Sequence, residues 1–315
     1  NTLFKGVAIV NNGSSVDLDR TYGPVVILPF YGEYGWFIVS YVRQVHYLKS
    51  SYKIVCCRPG DEVYFPSAAE FFYDWKEIIV DAQKCGFRNS KIIEPPILIT
   101  KEEQALNKKL NKKFPLFPLL RFDNPLPLKE IPHLPVPINT VYKTQHVDVV
   151  VGARYRSRIG LDGAYNDQRN FEQWDDVLYP LKERGYLIGQ IGRKETSFLC
   201  KQAVVSSWDY DRSTEAIVSM LNRAKLYIGT DTGPTHLAAL LGVPMVVFRN
   251  YTRKNLDMLQ GCVLPLARSR GFFAQLVDDG WQLPRKVADA AVKYLEDSEQ
   301  RGCSRCLLTK ADRRD

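Results

Sequence analysis

Residues 226–250 read LYIGTDTGPTHLAALLGVPMVVFRN, and this stretch decides the fold class. Leu226, Tyr227 and Ile228 form a short apolar run suited to a buried strand. Thr230, Asp231, Thr232 and Gly233 bring turn and helix-cap chemistry. Pro234 suits the first helical position, where its missing N–H costs nothing. The pattern predicts a helix over 235–241, stopped by Gly242 and kept from resuming by Pro244. Residues 245–248 then open another buried strand. A strand, a polar glycine-containing turn and a helix start together make an anion site. The first helical N–H groups lack intrahelical partners, and the helix dipole adds partial positive charge there. A diphosphate fits such a site. An ordinary, well-capped βαβ corner has the same local signature.

The rest of the chain alternates strand and helix patterns, which argues for an α/β architecture with parallel sheets. Gly23-Pro24 opens an expected strand at 25–30, and 36–48 reads as a largely buried helix. Residues 53–57 form the next strand, followed by an Arg58-Pro59-Gly60-Asp61 turn. Residues 71–85 are weakly patterned, and 91–99 holds a further strand. From Phe114 to Pro137 seven prolines exclude a regular helix or central strand, so an extended connector packed on the surface is expected. Lys108, Lys109, Lys112 and Lys113 precede it, either a solvated helix face or a basic stripe for an acidic acceptor. A second α/β unit starts at 147–151. It continues with a helix at 174–184, strands at 186–190 and 204–205, and a helix at 213–224. An amphipathic helix is expected at 286–295.

A chain of 315 residues suits two domains. The expected boundaries are 1–141, including the proline-rich connector, then 142–285, then a helix and tail at 286–315. With 45% apolar and 25% charged residues the chain is globular. The formal charge of +8 favours an anionic partner without naming one. No apolar run approaches the ~20 residues that span a bilayer, and the first residues are too polar for a signal peptide. The seven cysteines form no disulfide framework, so a reducing compartment is expected. Cys303-Ser-Arg-Cys306 is a single CxxC, two ligands short of a structural zinc site.

The string DTGPTHLAALLGVP, residues 231–244, closely resembles the D-[ST]-G-x-x-H-L-A-A-x-L-G-x-P segment of bacterial heptosyltransferases, the family 9-like glycosyltransferases. The resemblance implies the GT-B fold: two Rossmann-like domains with parallel sheets facing across a cleft. It also implies that Asp231, Thr232, Gly233, Pro234, Thr235 and His236 hold the phosphates of a nucleoside-diphosphate sugar. His236 then supports phosphate or loop rather than moving a proton.

Three further constellations bear on the chemistry. Gly32-Glu33 lies between a strand and the first long helix, where open α/β sheets place ligands. Glu33 complements the helix N-terminus or, matching an Asp in the resembled family, serves as catalytic base with one more methylene. Arg154, Arg156, Arg158 and Arg169 follow the first strand of the second unit, and guanidinium groups pair with phosphate oxygens. Arg169 is similar in place to a family Lys that neutralises the leaving diphosphate; residues 160–167 read as an inserted loop. Gly192 and Glu195 match a Gly-Gly-x-x-Glu-like turn near the nucleoside, although Glu195 also suits a helix cap. Asp209-Tyr210-Asp211 has the form of a metal–sugar DxD motif but is set aside, since the family needs no metal and Asp211 suits a helix start.

The resemblance implies an inverting, metal-independent and cofactor-free glycosyltransferase. It moves a sugar to a hydroxyl of an anionic or polar glycan or glycolipid in the cytoplasm, with peripheral contact at the inner membrane surface and no nucleic-acid partner. Two rivals stay open: a nucleotide-sugar 2-epimerase-like enzyme, and a non-catalytic nucleotide- or glycan-binding protein.

Overall fold

The computed structural model describes residues 18, 20–30, 34–75, 101–122, 136–155, 171–249, 263–268 and 272–301. The chain divides into two compact units, Asn1–Pro132 and His133–Asp315.

The first unit carries strands β1 (Thr21–Ile27), β2 (Lys49–Cys56), β3 (Glu70–Phe72) and β4 (Leu119–Leu120). All pair in parallel, in the order β3-β2-β1-β4. β1 and β2 are exposed over their first halves and buried over their second, so Val25–Ile27 and the end of β2 supply the core. Helix α3 (Lys101–Lys113) closes one face by setting Leu106 and Leu110 against Val26, Ile54 and Leu119. The expected turn forms: the Asp61 amide donates to the Arg58 carbonyl at 3.0 Å, with Gly60 at φ 94°. Pro59 then Gly60 at positive φ is a type II arrangement.

Two expectations change here. The proline-rich stretch is not wholly a surface connector, because Leu119 and Leu120 are buried as β4 on the edge beside β1. Proline loses only its donor: the Pro118 carbonyl still accepts from the Val26 amide at 3.0 Å. The predicted helix over 36–48 is a composite, with α1 (Tyr34–Trp36), a π-helical segment (Phe37–Val42) and α2 (Arg43–Tyr47). Its centre is buried as expected, but the shift to i→i+5 bonding has no signature in an apolar pattern. The Phe37 and Tyr41 rings stack at 5.6 Å, and the Tyr41 hydroxyl donates to the Leu28 carbonyl at 2.6 Å. The lysine cluster is partly engaged as well. Lys109 pairs with Asp74, and Lys113 lies over the Phe72 ring at 5.0 Å. Residues 76–100, with the expected strand at 91–99, lie outside the described residues.

The second unit holds β5 (Val149–Gly152), β6 (Ile188–Gln190), β7 (Ala203–Ser206), β8 (Leu226–Gly229), β9 (Met245–Phe248) and β10 (Ala274–Val277). The order is β10-β9-β8-β5-β6-β7, all parallel. Read from β7, this is the doubly wound order, which reverses direction between β5 and β8. Helices α4 (Trp174–Glu183), α5 (Ser213–Arg223), α6 (Gly233–Leu241), α7 (Leu264–Arg268) and α8 (Pro284–Gln300) complete it. β5, β8 and β9 are buried along their whole length, as a parallel sheet covered on both faces requires. Trp174, Leu178, Val287 and Ala291 pack on Val151, Ile228 and Phe248. α8 runs further than its predicted span, and α7 and β10 add to the predicted elements. Among the described residues no helix is long and apolar enough to cross a membrane.

Candidate functional site

Because every strand of the second sheet runs parallel, the loops after β5, β6, β7 and β8 all emerge at one edge. The reversal point between β5 and β8 falls there, where open sheets leave a crevice for ligands. Gly152 ends β5, Gly229 ends β8, and the two are directly paired.

The loop from Thr230 to Thr232 leads into α6 as its sequence dictates. Thr232 sits at the N-cap in extended conformation, Pro234 occupies the first turn, and Gly242 closes the helix at φ 68°. The Thr235 and His236 amides turn inward to the Thr232 carbonyl at 3.0 and 3.2 Å. The Thr232 side chain caps no amide. Among the described residues the Thr232 and Gly233 amides have no hydrogen-bond acceptor, so the helix start presents open donors. His236 is only 4% exposed, and its Nδ1 is buried without a partner among the described residues. Its Nε2 lies 3.5 Å from the half-buried Asp231 carboxylate. A buried polar nitrogen with nothing to bond is costly, and a ligand atom at this loop offers the missing partner.

The loop after β5 joins this edge. The Tyr155 amide donates to the Thr196 carbonyl, and the Phe198 amide to the Ala153 carbonyl, both at 2.8 Å. These bonds fix Arg154 opposite Ser197, half-buried beside the turn that carries Gly192 and Glu195. Gly192 sits at φ 138°, and a Cβ there would meet Ser197 Oγ at 2.7 Å. The Ser207 hydroxyl accepts from the Gly192 amide at 3.2 Å and donates to its carbonyl at 3.1 Å. Glu195 is exposed on a short 3-10 turn, Lys194–Thr196, with no long helix after it to cap. The structure therefore brings Arg154, Gly192, Glu195, Asp231, Thr232, Gly233, Pro234, Thr235 and His236 to one sheet edge. Glu33, Arg156, Arg158 and Arg169 lie outside the described residues, as do the insertion at 160–167 and the Cys303/Cys306 pair.

The Asp209-Tyr210-Asp211 carboxylates are already engaged. Asp209 accepts from the Ser206 amide at 2.7 Å in a capping box, and Asp211 accepts from the Tyr142 hydroxyl at 2.5 Å. Sequence reasoning missed the layer beneath the loops. Ser207 holds Gly192, and Gln190 accepts from the Cys200 amide at 3.1 Å and donates to the Phe198 carbonyl. Tyr227 reaches under both glycines. The matched endings VVVG and LYIG of two buried strands were the available signal for this last contact.

No family model matches the chain, and no curated protein matches it. Among solved structures it is similar to a glycosyl transferase family 9 protein from Veillonella parvula. That match has 14% identity, covers 86% of this chain and 90% of the other, and has a TM-score of 0.45. It is also similar to the E. coli ADP-heptose lps heptosyltransferase II, at 10% identity over 89% and 100% of the two chains, TM-score 0.46. The E. coli heptosyltransferase WaaC with ADP aligns at 12% identity over 88% and 99%, TM-score 0.45.

Proposed function

We propose that this chain is a glycosyltransferase that binds a nucleoside-diphosphate sugar at the C-terminal edge of its second sheet. The carrying observation is the α6 start. Two open backbone donors and the unpartnered His236 nitrogen gather at the reversal point of a doubly wound sheet. The DTGPTHLAALLGVP string that forms this start is the segment that resembles the heptosyltransferases. The Thr232 and Gly233 amides take phosphate oxygens, and Arg154 adds positive charge from the neighbouring loop.

In the reaction, the Glu33 carboxylate removes the proton of an acceptor hydroxyl. The oxygen attacks the anomeric carbon as its bond to the diphosphate oxygen breaks, inverting that centre. The diphosphate leaves with the bonding electron pair, and Arg169 and the loop amides stabilise its charge. The acceptor is a glycan or glycolipid, with contact at an anionic membrane surface matching the basic balance of the chain. As the resemblance implies, the proposed reaction uses no metal or cofactor; Asp209 and Asp211 each accept a hydrogen bond within the protein. A cytoplasmic location fits the buried free thiols of Cys56, Cys57 and Cys200.

The test is incubation with ADP-, UDP-, GDP- and CDP-sugars, with and without lipid-linked glycan acceptors. Acceptor-dependent release of nucleotide supports the reading. Release of free or epimerised sugar without acceptor favours the epimerase-like alternative, and absence of binding and turnover for all of them overturns both. Glu33→Gln abolishes transfer while leaving donor binding intact; a variant with the full transfer rate removes Glu33 as base.

A further inference from the structure

Tyr227 is the second residue of β8, fully buried, and Gly229 lies two positions on, on the same face of the strand. Its ring runs toward the ligand edge, across the paired glycines Gly152 and Gly229. A Cβ on Gly152 would strike the Tyr227 hydroxyl and lie 3.1 Å from its Cζ. A Cβ on Gly229 would strike the same hydroxyl and come within 2.7 Å of two ring carbons. Neither contact is ordinary, so both strand ends are shaped around this one side chain.

The hydroxyl has a defined task. Thr235 Oγ1 donates its single hydrogen to the Thr230 carbonyl, so it can only accept from its other neighbours. Tyr227 Oη lies 2.9 Å from that oxygen and Thr232 Oγ1 3.2 Å. The tyrosine therefore donates to Thr235, and Thr235 ties the strand end, Thr230, to the first turn of α6. Burial pushes the Tyr227 phenol up to about 12, against the opposing effect of the two threonine contacts, so the proton stays in place for donation. Thr235 is itself fully buried, so water cannot replace the tie.

We propose that Tyr227 is the positioning residue of the anion loop, holding Thr230–Thr232 from beneath so that the Thr232 and Gly233 amides face the ligand. Gly152 and Gly229 are glycines because the Tyr227 ring and hydroxyl occupy the space a side chain needs. The ligand half of this inference rests on the nucleotide reading above; the loop half does not.

The experiment uses the full chain in five forms: wild type, Tyr227→Phe, Gly152→Ala, Gly229→Ala and Gly152→Ala/Tyr227→Phe. Three readouts are taken: melting temperature, hydrogen exchange at 230–236, and calorimetric binding of ADP, GDP, UDP and CDP. In Tyr227→Phe, exchange at 230–236 rises and the Kd of whichever nucleotide binds wild type increases about tenfold. Its melting temperature stays close to wild type, a split that general loosening of the fold does not produce. Gly152→Ala lowers the melting temperature, and adding Tyr227→Phe recovers at least half of the loss because the hydroxyl was the worst contact. Gly229→Ala lowers it too, and Tyr227→Phe, which leaves the ring carbons in place, is not expected to rescue that change. Unchanged exchange in Tyr227→Phe, or no recovery in the double variant, overturns the loop tie. Raised exchange with unchanged nucleotide affinity overturns the positioning role. Wild type binding none of the four nucleotides overturns the donor reading, and exchange with the selective rescue then decides the loop tie by itself.

Discussion

The two edges of the second sheet differ in what they do with charge and open donors: one pairs buried charges, the other leaves helix-start amides unused. At the N-terminal edge Asp148 is fully buried just before β5, and each of its oxygens is used. It accepts from the Leu187 amide at 2.9 Å, pairs with Lys225 at 3.0 Å, and has His146 at 3.5 Å. Lys225, just before β8, also reaches Glu299 of α8 at 3.1 Å. Burial alone would push the Asp148 carboxyl up, but His146, the Leu187 amide and Lys225 together outweigh it and hold it well below the usual carboxylate range. Burial likewise opposes charge on Lys225, yet Asp148 and Glu299 raise it above its ordinary value. At the C-terminal edge the same sheet leaves the Thr232 and Gly233 amides open, and His236 Nδ1 buried without a partner among the described residues. At the N-terminal edge the Asp148, Lys225 and Glu299 charges close on each other and lock α8 to the strands, although His146 Nε2 beside them is buried without a hydrogen-bond partner among the described residues. The other keeps donors unspent, which is what a site for an anion requires.

The contrast breaks most visibly at Asp148. Asp148→Ala takes one of the two carboxylates from buried Lys225, leaving it only the half-exposed Glu299, removes the acceptor of the Leu187 amide, and lowers unfolding free energy by about 3 kcal/mol in denaturant titrations. Nucleotide affinity measured below the unfolding transition stays unchanged. The same pair sets a pH window. Asp148 ionises at lower pH in the folded chain than in the unfolded one, where a carboxyl titrates near ~4. Its stabilisation is therefore complete above that value and drains as pH falls through the folded one. Lys225, raised on folding, keeps its contribution below ~10.4 and loses it as pH climbs past its folded value. Urea midpoints of wild type should fall steeply below pH ~4, and Asp148→Asn should flatten that slope.

Changes at the opposite edge affect binding rather than stability. His236→Phe keeps an aromatic ring, slightly larger, and deletes both ring nitrogens, the unpartnered Nδ1 and the Nε2 beside Asp231, so melting should move less than nucleotide affinity, which falls about tenfold. Equal losses in both measurements would make His236 a packing residue. The smallest effect is expected at the exposed DxD string: Asp211→Asn should leave transfer rate and its response to added magnesium or manganese unchanged. A lost rate restored by metal would restore the motif to the mechanism.

How much of this was legible followed the range of the forces involved. The corner from β8 to β9 was readable almost to the residue because Pro234, Gly242 and Pro244 are local signals that act within a turn. The parallel class followed from strand–helix alternation, and with it the convergence of Arg154, Gly192 and 231–236 on one edge. β4 was hidden because two leucines among prolines become a strand only when β1 offers them partners. The π-helical segment changes bonding register without changing apolar spacing. The Tyr227–Thr235 tie and the Ser207–Gly192 clasp join positions whose relation exists only after folding. The Asp148–Lys225–Glu299 cluster joins positions up to 151 residues apart, so charge patterning along the chain carries no trace of it.

The start of α6, beside Gly152 and Gly229, is proposed as the nucleoside-diphosphate site. The most direct measurement follows backbone amide resonances of the full chain during titration with ADP, GDP, UDP and CDP. At least one nucleotide should saturably shift Thr232 and Gly233 together with 192–195, while residues at Asp148 and Lys225 stay unmoved. Saturable binding with shifts centred elsewhere, or no shift at Thr232 and Gly233 with any of the four, would contradict it.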